Sequence, residues 1–310
     1  MSVLVIKRNA TGDVVRTTTL LHHLAAQGLT WVTSAPNDEL FSELPSNVRC
    51  MEWAQRDRAL DRRYALVVNL EDEPSTAAFA QQAEHDRLFG AHADGNGGVS
   101  YSEDSRAWFD MSLISTHGRQ RADELKLLNR RTYQDLIFHG LGLAFRGERY
   151  VLPRPVPSPL SGDVAIAPVA GPVWPMKGWA FYDQLQAGLE GAGLTVNVLP
   201  RRRTLLEHLA DVANHRCLVS GDSLPMHLAL GTGTSCVTLF NCTSPWEIHD
   251  YGVQTKLVSP LLERFFYKRG HDTAATTAIR LEDVFDAVMD RLRTAGRTQT
   301  PPDSERCQAS

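Results

Sequence analysis

The residues with the clearest capacity for chemistry lie between Val219 and Gly252. Cys217-Leu218-Val219 is a short apolar run, and Ser220-Gly221-Asp222-Ser223 breaks it. Met226, Leu228 and Leu230 then belong to a short helix that Gly231 can close, before a second apolar strand from Cys236 to Phe240. Two successive loops therefore leave the ends of parallel strands, where open α/β sheets bind ligands. Asp222 or Ser223 can cap the helix, and the free N–H groups of its first turn favour an anion such as a phosphate. The same spacing equally suits an ordinary α/β unit in which Asp222 is an N-cap and His227 a packed helix residue.

The elements that must position these residues follow an α/β rhythm. Val3–Ile6 reads as a buried strand. Lys7 to Asp13 make a polar turn, and a helix follows through Leu20, Leu21 and Leu24 to Gly28. That turn has neither G-x-G-x-x-G nor a Walker lysine, so a dinucleotide or P-loop site is not expected there, and Asp13 can cap the helix. Further strands are expected near Thr30–Thr33, Val48–Met51 and Ala65–Leu70. Glu71-Asp72-Glu73 then reads either as a solvated loop or as the wall of a cleft. Gly90 to Gly98 reads as a loop. Arg119 to Leu141 has helical spacing, with Arg119, Arg121, Lys126, Arg130 and Arg131 either a wet face or an attraction for a phosphorylated ligand.

Alternating prolines at 153, 155, 157 and 159 forbid a regular helix and mark a linker over 153–162. It separates a domain at 1–152 from one at 163–295, and 296–310 is expected to be an unstructured tail. The second domain restarts with a strand over Asp163–Ala170 and a helix through Phe181, Leu185 and Leu189. A strand over Thr195–Leu199, a helix over Leu205–Val212, a strand over Lys256–Val258 and a closing amphipathic helix over Leu281–Leu292 complete it. The segment Leu261–Arg269 mixes aromatic and basic residues, which suits packing between domains or contact with a membrane surface.

With 310 residues and 43% apolar content, the chain can build two real cores. A net charge of -4 gives no general basic field, so nucleic acid is not an expected partner. Five cysteines without a C-x-x-C suit a reducing cytoplasm rather than a disulfide framework. No apolar run reaches the ~20 residues of a membrane span, so membrane contact is expected to be peripheral at most, at the inner face.

The chain resembles the bacterial heptosyltransferases, glycosyltransferase family nine. Their Asp-Thr-Gly-x-x-His core stands here as Asp222-Ser223-Leu224-Pro225-Met226-His227. Their later Phe-Gly-Pro-Thr-x-Pro stands as Phe240-Asn241-Cys242-Thr243-Ser244-Pro245. The first turn matches at Lys7, Gly12, Asp13 and Val14. The departures are Ser223 for Thr, Leu224 for Gly and Asn241-Cys242 for Gly-Pro. The resemblance implies a GT-B fold: two Rossmann-like α/β domains facing each other across a cleft, the first for the acceptor and the second for a nucleotide sugar. It implies inverting, metal-independent transfer of a sugar, by resemblance heptose from ADP-heptose, to an acceptor hydroxyl. That acceptor is lipopolysaccharide core, another glycan or lipid-linked sugar, a protein or a small molecule.

Asp13 is then the candidate base, since an inverting transfer needs a carboxylate to take the acceptor's proton. Lys177, Trp179, Asp222, Ser223, Leu224, His227 and Thr243 are the candidate donor-binding residues, and Arg201, Arg202 or Arg203 can touch phosphate or stack on a base. The nucleotide sugar is a substrate, and no cofactor is implied. The chain has no Asp-x-Asp, so no metal ligand is assigned. A nucleotide-sugar epimerase of the same fold, or a non-catalytic sugar-nucleotide-binding protein, are the alternatives to a transferase.

Overall fold

The computed structural model describes residues 2–112 and 114–297. Of the tail expected from 296, residues 298–310 lie outside the described residues, while the closing helix runs Leu281–Arg297. Two parallel sheets carry the fold. In the first, β1 (Val3–Ile6), β2 (Leu29–Thr33), β3 (Val48–Glu52), β4 (Tyr64–Asn69), β5 (His85–Ala93) and β6 (Val99–Tyr101) are arranged β3-β2-β1-β4-β5-β6. Only the last pair, β5 with β6, is antiparallel. In the second, β7 (Gly162–Ala167), β8 (Val196–Val198), β9 (His215–Gly221), β10 (Ser235–Phe240) and β11 (Gln254–Val258) are all parallel, in the order β11-β10-β9-β7-β8. Every residue of β1 is buried, which its unbroken Val-Leu-Val-Ile run requires of a strand covered on both faces.

The strand order reverses between β1 and β4 in one sheet and between β7 and β9 in the other. Chain leaving the carboxyl ends of neighbouring strands turns to opposite sides there, and the crevice it opens is where ligands sit. Lys7 and Glu71 follow the first switch point, and Asp222 follows the second.

The two units share an apolar core. Val14, Val15 and Ile137 from the first pack in one cluster with Met226, Leu228 and Ile248 from the second. Polar contacts reinforce it. The Glu39 carboxylate accepts from the Leu205 and Leu206 amides at 2.7 and 3.3 Å, at the start of the Leu205–Ala213 helix. The Tyr133 amide donates to the Glu247 carbonyl at 2.9 Å, and the Tyr251 hydroxyl to the Glu148 carbonyl at 3.0 Å. Residues 143–161, which include the alternating prolines, form neither helix nor strand.

Several local expectations are corrected. The first helix begins at Thr11, with Ala10 in a left-handed conformation at φ 55°, so Asp13 lies inside its first turn and caps nothing. Residues 90–93, expected as loop, extend β5, because Ala91–Ala93 pair with Val99–Tyr101 across a tight turn. The expected helix over Arg119–Leu141 is two helices, Gly118–Leu128 and Tyr133–Gly140, the second capped by Thr132. The Leu224–Thr232 helix is closed by Gly233 at φ 79° rather than by Gly231. Phe265 is buried against Met176, Cys242 and Ala275, so that aromatic of the Leu261–Arg269 segment serves packing and not a membrane face. Among the described residues no helix is long and apolar enough to cross a membrane.

Glu71, at the first switch point, is buried and not the solvated acid that one reading of Glu71-Asp72-Glu73 requires. Its carboxylate accepts from Lys7 Nζ at 2.8 Å and from the Arg8 and Asn9 amides at 2.7 and 2.8 Å. Glu71→Ala strands a buried ammonium and two amides, and should cost roughly 3–5 kcal/mol in denaturant unfolding. Glu73→Ala, whose side chain is 46% exposed beside Arg8, should cost about 1 kcal/mol or less. Equal losses in the two variants would refute the structural role given to Glu71.

Candidate active site in the interdomain cleft

Asp13 projects from the first turn of the Thr11–Thr17 helix, just past β1. Its carboxylate is 36% exposed, while the cations around it are buried: Arg16 Nη2 at 2.9 Å and Lys7 Nζ at 4.0 Å. Burial works to raise the Asp13 pKa, but Arg16, Lys7, His227 and Lys177 outweigh it and hold the group below its ordinary value. Asp13 is therefore an anion at neutral pH, with one face open. Arg16 is locked in place by two rings, its Cζ 4.0 Å from the centre of Tyr133 and 5.3 Å from that of Trp108. Tyr133 is fixed in turn by a 2.7 Å hydrogen bond between its hydroxyl and that of Thr17. The open face of Asp13 borders a cavity of about 290 Å³, which Trp108, Tyr133 and Asp72 also line.

Across the cleft, Lys177 Nζ lies 3.1 Å from Asp222 Oδ2, both at the second switch point. This pairing is where the Asp222 carboxylate is used, and no side chain caps the Leu224–Thr232 helix, although Ser223 occupies the N-cap position. Burial would raise the Asp222 pKa, but Lys177, His227 and the Thr243 hydroxyl bring it below the ordinary value. Pro225 lies in the first turn and carries no N–H, so the amides of Ser223, Leu224 and Met226 are those available to an anion. Gly221 is required here: a Cβ on it would lie 2.5 Å from the Lys177 carbonyl oxygen. The Thr243 hydroxyl is buried beside this pair.

The two halves touch through His227 and Gly12. A Cβ at Gly12 would sit 2.7 Å from His227 Cδ2, so glycine lets the two helices meet. His227 is 5% exposed, with Nδ1 3.4 Å from the Tyr150 hydroxyl. Burial, with Arg16 adding, lowers its pKa to about 4 against the pull of Asp222 and Asp13. It is neutral at physiological pH and packs between the two domains.

Other expected residues are placed differently. Trp179 is buried in the core of the second domain, its Nε1 donating to the Ile279 carbonyl at 2.9 Å, so it does not face the cleft. Trp174 and Tyr267 line a second cavity of about 220 Å³ with Lys126 and Arg269, as Trp108 and Tyr133 line the first. Arg202 is held by the fully buried Asp211 at 2.6 and 2.8 Å and is not free for phosphate. Arg201 and Arg203 are exposed. Of the basic residues over Arg119–Arg131, Arg119, Arg121 and Arg131 pair with Asp123, Glu124 and Asp135, as a wet helix face does. Lys126 instead sits 4.1 Å above the Tyr267 ring.

Sequence reasoning missed Arg16, Tyr133 and Glu247. Arg16 was within reach, because it stands three residues beyond Asp13 on one helix face. Glu247 was not. It is a buried loop acid whose pKa burial raises against Lys126 and Arg16, and among the described residues its Oε1 has no hydrogen-bond partner.

Residues 174–266 match the model of glycosyltransferase family 9 (heptosyltransferase). That match spans the Lys177–Asp222 pair and Thr243, the residues placed at the second switch point. No curated protein matches the sequence. Among solved structures, a family 9 glycosyl transferase from Veillonella parvula DSM 2008 superposes with a TM-score of 0.66 at 15% identity, over 94% of this chain and 97% of that one. The E. coli heptosyltransferase WaaC with ADP gives 0.58 at 15% identity, over 96% and 100%. The iron-containing dodecameric glycosyltransferase TibC of enterotoxigenic E. coli H10407 gives 0.58 at 12%, over 97% and 80%. These likenesses establish a heptosyltransferase-like GT-B fold along nearly the whole chain.

The burial of His227 has a measurable consequence. Unfolded, the imidazole takes up a proton as pH falls through its ordinary 6.5, whereas the folded one resists until about 4. Unfolding therefore binds a proton in that window, so stability is full above 6.5 and falls as pH drops towards 4, by roughly 3 kcal/mol. Unfolding free energy followed against pH should show this slope, and His227→Asn should flatten it. An unchanged slope in the variant would mean that His227 does not carry it.

Proposed function

We propose that this protein is an inverting glycosyltransferase that moves a heptose from ADP-heptose to an acceptor hydroxyl, with Asp13 as the general base. One observation carries the reading. A partly exposed carboxylate at one switch point opens onto a cavity, and a partly buried Lys177–Asp222 pair stands at the other, inside the segment that matches the family 9 model. The likeness to structures described as holding ADP and ADP-2-deoxy-2-fluoro heptose supports the choice of donor.

The acceptor would lie in the cavity beside Asp13 and the donor against the second domain. Asp13 is ionised before the reaction and weakly basic, because Arg16 and Lys7 stabilise its charge. It need not deprotonate the hydroxyl early. The proton moves as the oxygen bonds to the anomeric carbon and becomes acidic. Negative charge develops at the same time on the leaving diphosphate. Lys177 and the amides of Ser223, Leu224 and Met226 would meet that charge, and Asp222 would hold the ammonium in place until the donor binds. Lys177 supplies the cation that a metal provides elsewhere, so we propose that activity is insensitive to EDTA.

Two variants test the division of labour. Asp13→Asn keeps the shape of the site but removes the base, and should lower kcat for ADP release from ADP-heptose by about 10²–10⁴-fold while leaving ADP binding intact. Lys177→Ala should abolish the thermal shift that ADP gives the wild-type protein. Undiminished turnover in Asp13→Asn would end the proposed role of Asp13, and a shift with UDP or GDP but not ADP would end the choice of donor.

A further inference from the structure

We infer that Glu247 and Lys126, one from each domain, bind the hydroxyls of the transferred sugar and so set a preference for the nucleotide sugar over the bare nucleotide. This rests on the transferase reading, and it names residues which that reading does not use.

Glu247 is 5% exposed, yet among the described residues its Oε1 has no hydrogen-bond partner and its carboxylate no ion pair. Its loop cannot carry it into water. The Tyr133 amide donates to the Glu247 carbonyl at 2.9 Å, Lys256 Nζ donates to the Pro245 carbonyl at 2.7 Å, and the Arg130 guanidinium lies 3.7 Å over the Trp246 ring. Lys126, from the Gly118–Leu128 helix, is the matching cation. Its ammonium also lacks an ion pair among the described residues and rests 4.1 Å above the Tyr267 ring. Burial pushes the Lys126 pKa down and the Glu247 pKa up, and in each case the other residue is the foremost charge opposing the shift. Two opposite charges are thus set toward each other without closing into a salt bridge, and such burial is costly while the gap is empty. A sugar hydroxyl fills it, because its oxygen accepts from the ammonium while its proton goes to the carboxylate.

Position selects the donor's sugar. Asp222 and Asp13 both act on Glu247, which places it between the two walls, where the sugar lies if its anomeric carbon is to meet acceptor and diphosphate together. The same loop carries Thr243 and Ser244, both buried, whose hydroxyl oxygens are likewise without partners among the described residues. Three orphaned oxygens on one loop suit a ligand with several hydroxyls, which a sugar supplies and a phosphate, without donors, does not. Lys126 lines the 220 Å³ cavity, which adjoins the one beside Asp13 at Ser112. A hydroxyl arriving there meets the ammonium first and draws it off the Tyr267 ring, which opens the way to the carboxylate.

Titration calorimetry of ADP and of ADP-heptose, without acceptor, tests this. Wild-type protein should bind ADP-heptose about tenfold or more tighter than ADP. Glu247→Ala and Lys126→Met should each cut that preference to about twofold or less with ADP affinity unchanged, while Glu247→Gln, which keeps a side-chain carbonyl for a hydroxyl, should retain part of it. Three results overturn the inference: equal wild-type affinity for the two ligands, a preference that survives in both Glu247→Ala and Lys126→Met, or equal weakening of both ligands in the variants. The last would mean that these residues only pack the loop, since packing alone does not tell ADP-heptose from ADP. Where ADP binding persists and depends on Lys177, any of the three rejects the sugar contacts alone. Wild-type protein that binds neither ligand rejects the donor assignment beneath them, and the sugar contacts with it.

Discussion

The cleft depends on one buried ion pair. Lys7 and Glu71 meet at 2.8 Å with 7% and 5% of their side chains exposed. Burying two charges is costly unless each is also hydrogen-bonded, and here the carboxylate receives the Arg8 and Asn9 amides as well. Glu71 comes from the end of β4 and those amides from the end of β1, so the pair ties together the two strands that define the switch point. The loop that it clamps leads directly to Ala10, whose left-handed backbone aims the following helix. Asp13 is thus placed by a carboxylate far from it in sequence.

That placement matters because a base must be ionised and also reachable. Burial alone would raise the Asp13 pKa, and the surrounding cations do more than cancel it. Arg16 holds the group without covering it, since Tyr133 and Trp108 confine the guanidinium. The opposite wall repeats the principle with the signs exchanged: Lys177 pairs with Asp222 at 3.1 Å in a partly buried site. An apolar core runs through both domains behind the two walls, with His227 seated against Gly12 at the crossing. The neutrality of His227 is a consequence of this packing, as an imidazolium would have to be desolvated between helices.

The positions of strands and helices were largely legible in the chain, and the reason is local. Val3–Ile6 and Ser235–Phe240 are apolar runs that only a buried strand satisfies, and Leu281–Arg297 repeats its apolar residues at helical spacing. The errors fell where pairing or a neighbour decided the outcome. Gly90 and the residues after it read as loop because glycine and polar side chains favour turns, yet pairing with Val99–Tyr101 continues the strand. Trp179 stood beside Lys177 in a pattern that suggested a ligand, but its indole finds the Ile279 carbonyl in the core. Arg202 read as surface charge or phosphate ligand, because the buried Asp211 that captures it lies on the next helix.

What the sequence determined by itself was the two-unit α/β plan and the identity of the charged residues at the strand ends, since periodicity and loop chemistry are properties of neighbouring residues. The tertiary structure decided which of those charges are spent and which remain open. Glu71 and Glu73 are consumed by Lys7 and Arg8, while Asp72 between them is not. Asp13 keeps an open face, and Asp222 turns to Lys177 instead of capping its own helix. Electrostatic fate depends on burial and on partners brought together by folding, and neither is encoded at any single position of the chain.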